Sequence, residues 1–177
     1  IKRAISGSPF NRARVMICIP SGVTEVERRA VHDAAKSAGA RYVSLIEEPM
    51  AAAIGAGLPV LDATGSMIVD IGGGTSEVAV ISLGDIVTSE SLKTAGDKMD
   101  AEIVAFVKDR YKLLIGDSTA EEVKKEIGCA YNGSESRKVD VRGRDMVTGL
   151  PKTIQISEAE IQDALHEICE IILTSAK

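Results

Sequence analysis

The first recognisable pattern of hydrophobic and polar positions along the chain is that of a strand, a helix and a second strand. Residues 15–19 are continuously apolar, which is typical of a strand buried on both faces. Thr24 and Glu27 have the spacing of a capping box, which predicts a helix that ends before Gly39. Residues 42–46 predict the second strand, and the order indicates a right-handed βαβ unit. The helix is expected to bury a face formed by Val26, Ala30, Ala34 and Ala38.

A run of three glycines separates two further strand-like segments. Residues 67–69 are apolar and predict a strand that ends at Asp70, and residues 76–82 are rich in strand-forming residues. The glycines therefore lie at the tip of a hairpin and not at the start of a helix. A turn at Gly84 is followed by a return strand over residues 86–88.

The second half of the chain has helical periodicity, interrupted by a pair of short strands. Asp97 is expected to cap a long helix, and capping boxes at Thr119 and Ser157, each with a glutamate three residues later, predict two more. Residues 139–141 and 153–156 predict two strands of a small sheet. The positions expected on the buried helix faces are Ile103, Phe106, Val107, Tyr111, Val123, Ile127, Ala130, Ile161, Leu165, Ile168 and Ile172.

Composition narrows the classes of function. The formal net charge is -5 and aromatic residues make up 3% of the chain, which argues against a basic or base-stacking surface for nucleic acid. Three widely spaced cysteines favour free thiols, and the two histidines lack partners at the spacing of a zinc site. Neither a membrane span nor a signal peptide is predicted. Because the chain begins with Ile1 and its last predicted helix runs to Lys177, we expect a fragment of a longer protein.

The run from Asp70 to Thr75 is the strongest candidate for a ligand site. Three adjacent glycines after a strand allow backbone N–H groups to approach phosphate oxygens closely. The Asp70 carboxylate could hold a metal ion directly or through water, and Thr75 adds a hydroxyl. A P-loop is excluded because no lysine follows the glycines, and a dinucleotide fingerprint is excluded because the next element is a strand. A glycine-rich hairpin without a ligand is the alternative.

Two motifs resemble those of the actin-like ATPase superfamily. Residues 70–82 (DIGGGTSEVAVIS) are similar to its second phosphate motif, and residues 46–58 (IEEPMAAAIGAGL) to its first connecting motif. Residues 26–30 and 120–128 narrow the resemblance to the MreB family, the bacterial actin homologues that determine rod shape. The resemblance covers nearly the whole chain, and the pair of motifs at this spacing is highly specific.

The resemblance implies an α/β fold of the actin-like ATPase (ribonuclease H-like) type, here partial, with two lobes around a nucleotide cleft. Residues 1–62 are expected in the core of the first lobe (subdomain IA), and residues 63–98 with 163–177 in the core of the second (IIA). Residues 99–162 would form a small α+β insertion subdomain (IIB). The family's N-terminal Asp-x-Gly-Thr hairpin and C-terminal adenine-binding segment are missing. We therefore expect the isolated chain neither to hydrolyse ATP well nor to polymerise normally.

The resemblance also implies roles for single residues at a site for ATP and Mg²⁺. Glu48 corresponds to the catalytic carboxylate that orients or polarises the attacking water, and Asp70 to the acid near magnesium, acting through water. Glu121 and Lys124 correspond to a helix that touches the ribose. The residues implied to bind the nucleotide are Asp70, Gly72, Gly73, Gly74, Thr75, Gly96, Asp97, Glu121 and Lys124. Phosphoryl transfer to water needs positioning and charge neutralisation more than covalent help, which these residue types can supply.

Three of these residues also have a purely structural interpretation. Glu48 could place negative charge at the positive N-terminus of the short helix that Pro49 opens. Glu121 could be an exposed acid in the first turn of a helix, and Lys124 could be a solvated cation.

For the complete protein the resemblance implies slow ATP hydrolysis coupled to polymerisation. The expected partners are further copies of the protein, the cell-wall elongation machinery and the inner membrane surface, with no nucleic acid. The expected location is cytoplasmic and membrane-associated. The alternatives are a sugar or acetate kinase, an Hsp70-like ATPase and a binding module with an inactive cleft. Glu48-Pro49 and the compact segment 99–162 favour the filament ATPase over a kinase, and the sequence around Glu48 favours it over an Hsp70-like chaperone.

Overall fold

The computed structural model describes residues 13–131 and 137–177 of the chain. The N-terminal residues, for which no signal peptide is predicted, lie outside these ranges. The elements are, in chain order, β1 (Arg14–Ile19), α1 (Glu25–Ser37), β2 (Tyr42–Glu47), α2 (Glu48–Gly55), β3 (Ser66–Ile71), β4 (Ser76–Ser82), β5 (Asp85–Leu92), α3 (Gly96–Tyr111), β6 (Leu113–Leu114), α4 (Asp117–Ile127), β7 (Lys138–Asp145), β8 (Pro151–Ser157) and α5 (Glu158–Ser175). Among the described residues, no helix has the length and apolarity to cross a membrane.

The chain divides into two compact units. The first contains the described residues up to Asp70 together with Glu77–Ser91, and the second contains Ile71–Ser76 together with Leu92–Lys177. The glycine run therefore belongs to the second unit, and most of its flanking strands belong to the first. The subdomain boundaries implied by the resemblance, at residues 62, 98 and 162, stay a prediction.

The first unit contains the predicted strand–helix–strand arrangement. β1 and β2 are parallel neighbours, paired from Arg14 opposite Tyr42 to Ile19 opposite Glu47. α1 connects them, as a parallel pair requires. The capping box is confirmed, since the Thr24 N–H donates to the Glu27 carboxylate at 2.8 Å and the Glu27 N–H donates to Thr24 Oγ1 at 3.3 Å.

Two expectations about burial in this unit are wrong. β1 alternates between exposed and covered positions, and Met16 and Cys18 are exposed, so that one face is covered rather than two. In α1 the buried residue is Ala35, whereas Val26 is exposed. Alanines give little apolar contrast between the faces of a helix, and for this reason the sequence period did not identify the packed face.

The middle strands form a sheet in the order β3-β4-β5. β4 and β5 are joined by two residues, Leu83 and Gly84, which both have positive φ (54° and 82°). This is the backbone that a two-residue hairpin turn requires, and such a connection makes the strands antiparallel. The turn predicted at Gly84 is confirmed.

The second unit contains the larger hydrophobic core. β7 pairs antiparallel with β8 and with the two-residue strand β6, which the sequence pattern did not predict. The strands predicted over residues 139–141 and 153–156 lie within β7 and β8. Helices α3, α4 and α5 contribute to the core, whose buried residues are Ile103, Val107, Leu113, Ala120, Val123, Ile127, Val141, Ile156, Ile161 and Leu165.

Of the three helix starts predicted in this unit, one is capped as expected. At the start of α5, the Glu160 carboxylate accepts hydrogen bonds from the N–H (3.0 Å) and hydroxyl (2.7 Å) of Ser157. α3 begins after Ala95 without a side-chain cap, so that Asp97 lies in its first turn. The capping box predicted at Thr119 is also wrong, because α4 begins after Gly116, whose carbonyl accepts the Thr119 N–H at 3.0 Å.

The turn between β7 and β8 is built around Asp145. Its Oδ1 accepts the N–H groups of Val147 (2.8 Å) and Thr148 (2.9 Å), and its Oδ2 lies 3.1 Å from Lys152 Nζ. The two N–H groups, and then Lys152, lower the pKa of Asp145 from 3.8 to about 2. The ionised carboxylate therefore stabilises the turn.

Candidate functional site

The glycine run and the start of α3 are hydrogen-bonded to each other in the second unit. The Gly96 N–H donates to the Gly72 carbonyl at 3.1 Å, and the Asp97 N–H donates to the Gly73 carbonyl at 2.8 Å. The first N–H groups of a helix have no partner within the helix, and here the loop carbonyls accept them in place of a capping side chain. The Gly72 N–H donates to the Thr75 carbonyl at 2.9 Å and closes the loop.

This arrangement fixes the direction of the remaining loop N–H groups. In a trans peptide the N–H points opposite to the preceding C=O. Because the carbonyls of Gly72 and Gly73 face α3, the N–H groups of Gly73 and Gly74 point away from it. In the part of the chain that the structure describes, these two N–H groups donate to no backbone carbonyl. Adjacent free N–H groups of this kind can bind an anion such as a phosphate.

The close approach of the loop and the helix explains why glycines stand at these positions. A Cβ at Gly73 would lie 3.1 Å from Asp97 Oδ1. A Cβ at Gly96 would lie 3.2 Å from the Gly72 carbonyl oxygen and 3.3 Å from Lys124 Nζ. A side chain at Gly96 would therefore press against the loop backbone, whereas one at Gly73 would displace the exposed Asp97 side chain.

Lys124 connects α4 to this helix start. Its Nζ donates to the Gly96 carbonyl at 3.0 Å and lies 2.8 Å from Asp100 Oδ1. The two side chains are only 20% and 15% exposed, so that Lys124 is a paired cation and its interpretation as a solvated cation is wrong. Asp100 was not identified from the sequence. Its position one helical turn after Gly96, on the same face of α3, is the signal that could have identified it.

Glu121 is positioned differently from Lys124. It lies in α4, is exposed, and forms an ion pair with Lys125 at 2.6 Å. The hydrogen bond from Lys125, together with its charge, lowers the pKa of Glu121. This is the geometry of an exposed acid, and a contact of Glu121 with a ribose stays a prediction.

Glu48 lies in the first unit, at the first position of α2 and next to Pro49. The adjacent Glu47 forms an ion pair, because its carboxylate lies 3.2 Å from Arg28 Nη2. Among the described residues Glu48 has no such ion pair. Its negative charge is favourable at a helix N-terminus, and its carboxylate is available for a further role.

A second carboxyl group, that of Glu77, lies near Glu48 in the same unit. Glu77 is in β4 and is 2% exposed. Burial raises the pKa of Glu77, the Ser21 N–H opposes this rise, and the negative charge of Glu48 adds to it. The sequence alone indicates no role for Glu77. The sequence feature that could have identified it is a charged residue next to the glycine loop. In the structure, the first four positions of its strand are all buried.

Asp70 is a half-buried residue of β3 and belongs to the first unit. Among residues 13–131 and 137–177, no group of three or more His, Cys, Asp or Glu side chains is arranged to hold a metal ion. Magnesium bound together with a phosphate ligand typically uses one or two carboxylates and several waters. The lone Asp70 carboxylate fits that mode of binding.

The structure thus divides the predicted site residues between the two units. The first contains Glu48 and Asp70. The second contains Gly72, Gly73, Gly74, Thr75, Gly96, Asp97, Glu121 and Lys124. Within the second unit, hydrogen bonds join the glycine run, the start of α3 and Lys124 into one structure.

Comparison with known proteins places the chain in a family. The chain matches the model of the MreB/Mbl protein family over residues 1–177. It is 49% identical over 168 residues to the cell shape-determining protein Mbl of Bacillus cereus, covering 95% of this chain and 50% of that protein. It is 56% identical over 154 residues to the cell shape-determining protein MreB of Escherichia coli strain K12, covering 87% and 44%.

Two solved structures are similar to this chain in fold. The crystal structure of MreB5 of Spiroplasma citri bound to ADP has a TM-score of 0.89 and 43% identity, over 93% of this chain and 50% of that one. The same protein bound to AMPPNP has a TM-score of 0.85 and 42% identity, with the same coverage. The chain spans about half the length of these relatives. The actin-like α/β fold is confirmed, and the chain belongs to the MreB/Mbl family.

Proposed function

We propose that the protein containing this chain is a cell shape-determining cytoskeletal protein that binds ATP with Mg²⁺, hydrolyses it slowly and polymerises into filaments. One observation supports the nucleotide site: the first N–H groups of α3 donate to the carbonyls of Gly72 and Gly73, and among the described residues the N–H groups of Gly73 and Gly74 donate to no backbone carbonyl. Two kinds of relative support the proposal, namely the shape-determining proteins MreB and Mbl and the nucleotide-bound structures of MreB5.

The loop would bind the terminal phosphates through backbone N–H groups. Gly73 and Gly74 present theirs away from α3, and Thr75 adds a hydroxyl. Because α3 and Lys124 already hold the loop in place, little reorganisation is needed when the anion binds. Asp70 would hold the magnesium ion through water, and when bound this ion offsets phosphate charge.

Glu48 would orient the attacking water. A carboxylate without a competing cation can accept a hydrogen bond from a water molecule and so direct the lone pair of the water oxygen toward phosphorus. Arg28 holds Glu47, so that Glu48 is the member of the glutamate pair available for this role. Gly96, Asp97, Glu121 and Lys124 would line the remainder of the nucleotide site.

The proposed partners follow from the family. The protein would assemble with further copies of itself and act with the cell-wall elongation machinery at the inner membrane surface, in the cytoplasm. The predicted subdomains, residues 1–62, 63–98 with 163–177, and 99–162, are proposed as the parts of the two lobes that this chain supplies.

The decisive experiment compares two glutamates in the same helical position. Glu48 and Glu25 are the first residues of α2 and α1. If Glu48 serves only as a charge at a helix N-terminus, Glu48→Gln and Glu25→Gln should each cost about 0.3–1 kcal/mol of stability and leave turnover unchanged. The proposal predicts that only Glu48→Gln abolishes ATP hydrolysis by the full-length protein.

A sedimentation assay separates the filament ATPase from the kinase alternative. The full-length protein should pellet with ATP. Failure to pellet, combined with transfer of phosphate to a sugar or to acetate, would replace the proposal with a kinase of the same superfamily. Binding of ATP without hydrolysis by the unaltered protein would leave only a binding module.

A further inference from the structure

Glu77 is a buried carboxyl group with no role in the mechanism described above. Its two oxygens accept hydrogen bonds from different parts of the first unit. The Ser21 hydroxyl, just after β1, donates to Oε2 at 3.4 Å, and the Ser91 hydroxyl in β5 donates to Oε1 at 3.5 Å. The two hydroxyl groups can donate to both oxygens of the carboxyl group when it is ionised.

The environment of Glu77 is electrostatically unfavourable. In the described part of the chain no lysine, arginine or histidine forms an ion pair with it. Because Ile19 pairs with Glu47, Glu48 and the Ser21 that donates to Glu77 both lie just beyond the same end of the β1–β2 pair. The charged group that acts on Glu77 is therefore the like-charged Glu48. A buried carboxylate without a cationic partner destabilises the folded protein. Ionisable groups in such unfavourable electrostatic surroundings are more typical of functional sites than of hydrophobic cores.

We propose that Glu77 is a positioning residue for Glu48: its buried carboxylate occupies the Ser21 and Ser91 hydroxyls and repels Glu48, which keeps the Glu48 carboxylate turned toward the attacking water. The inference rests on the function proposed for Glu48. Without the charge of Glu77, the uncharged side chains around it, such as the Ser21 and Ser91 hydroxyls, could hydrogen-bond to the Glu48 carboxylate. That carboxylate would then turn away from the water that it orients.

Substitution by glutamine tests this role sharply. Glu77→Gln preserves the size and one acceptor oxygen, but its amide N–H₂ group can donate to Glu48. Repulsion thus becomes attraction, and Glu48 is drawn inward. In the full-length protein kcat should fall about tenfold, a part of the 10²–10⁴ that a positioned base contributes. KM for ATP should stay within about twofold, because the phosphate loop is untouched.

Two further variants separate positioning from structure. If Glu77 were merely structural, Glu77→Gln would remove a costly buried charge, with activity maintained. Glu77→Asp keeps the charge and should retain more kcat than Glu77→Gln. Glu90→Gln, at an exposed position of β5, should behave as the unaltered protein in both kcat and melting temperature.

An infrared titration of the carboxyl groups tests the contact without turnover. Replacing Glu48 by Gln should lower the pKa of Glu77, because it removes the like charge. Protonation of Glu77 at the assay pH, or a kcat of Glu77→Gln equal to that of Glu90→Gln, would overturn the inference. If instead Glu48→Gln hydrolyses ATP normally, the function proposed for Glu48 fails, and the inference fails with it.

Discussion

Replacement of Gly96 by alanine tests whether the loop and the helix start form one structure. The new Cβ would lie 3.2 Å from the Gly72 carbonyl oxygen and 3.7 Å from Gly73 Cα, both of which are backbone atoms. It would also lie 3.3 Å from Lys124 Nζ, which is at the end of a flexible side chain and can move. The 3.7 Å approach to Gly73 Cα is an ordinary van der Waals contact, whereas the contact with the Gly72 carbonyl oxygen can be relieved only if the loop moves away from α3 by a few tenths of an ångström.

The expected cost follows from the two hydrogen bonds that this movement weakens. The bonds from Gly96 and Asp97 to the loop carbonyls each contribute about 1 kcal/mol net. Replacing glycine by alanine within a helix returns up to about 1 kcal/mol. The net loss of stability should be about 1 kcal/mol. If the displaced loop also loses one N–H bond to a phosphate, about 1.5–3 kcal/mol, then ATP affinity falls roughly tenfold or more.

Gly55→Ala is the matched control. Gly55 ends α2, and a Cβ built there meets no atom within 4 Å. It should leave ATP affinity unchanged and stability equal or slightly higher. Chemical denaturation and titration of the full-length proteins with ATP would measure both quantities. Equal affinity and stability of Gly96→Ala and Gly55→Ala would show that the helix start does not shape the loop.

Three further predictions concern the second unit. Ile161→Ala should cost about 2–5 kcal/mol in chemical denaturation, and the half-exposed Ile171→Ala much less. Lys124→Met should cost about 2–3 kcal/mol, and part of this should be recovered in the double variant with Asp100→Asn, measured as a double-mutant cycle. The folded-state pKa of Asp145, about 2, is below its ordinary 3.8, so that its stabilisation is present above pH 4 and lost toward pH 2. The stability difference between the unaltered protein and Asp145→Asn should therefore shrink across that range, and a constant difference would contradict this assignment.

The elements predicted well from the sequence are those whose signals are local and strong. The capping pairs Thr24–Glu27 and Ser157–Glu160 are observed, as is the turn at Gly84. The face of α5 was also predicted correctly, because isoleucines and leucines contrast with charged neighbours on the opposite face. In these cases one short stretch of chain determines the outcome.

The predictions that failed depended on partners distant in sequence. Asp97 was expected to cap α3, but carbonyls of the glycine run some two dozen residues earlier satisfy the helix N–H groups. β6 has only two residues and exists through pairing with β7. Asp100 pairs with Lys124, and the charge of Glu48 raises the pKa of Glu77; in both cases the partner lies on another element. Periodicity and capping rules do not contain this information.

The hydrogen bonds between the glycine run and α3 satisfy two structural requirements at once. A helix without a capping side chain needs acceptors for its first N–H groups, and a phosphate loop needs its own N–H groups directed outward. The carbonyls of Gly72 and Gly73 meet the first need, and the planar peptide then meets the second. α3 also supplies Ile103 and Val107 to the hydrophobic core. The position of the loop is therefore tied to core packing through one helix, which is how a flexible tripeptide of glycines can be held in one conformation.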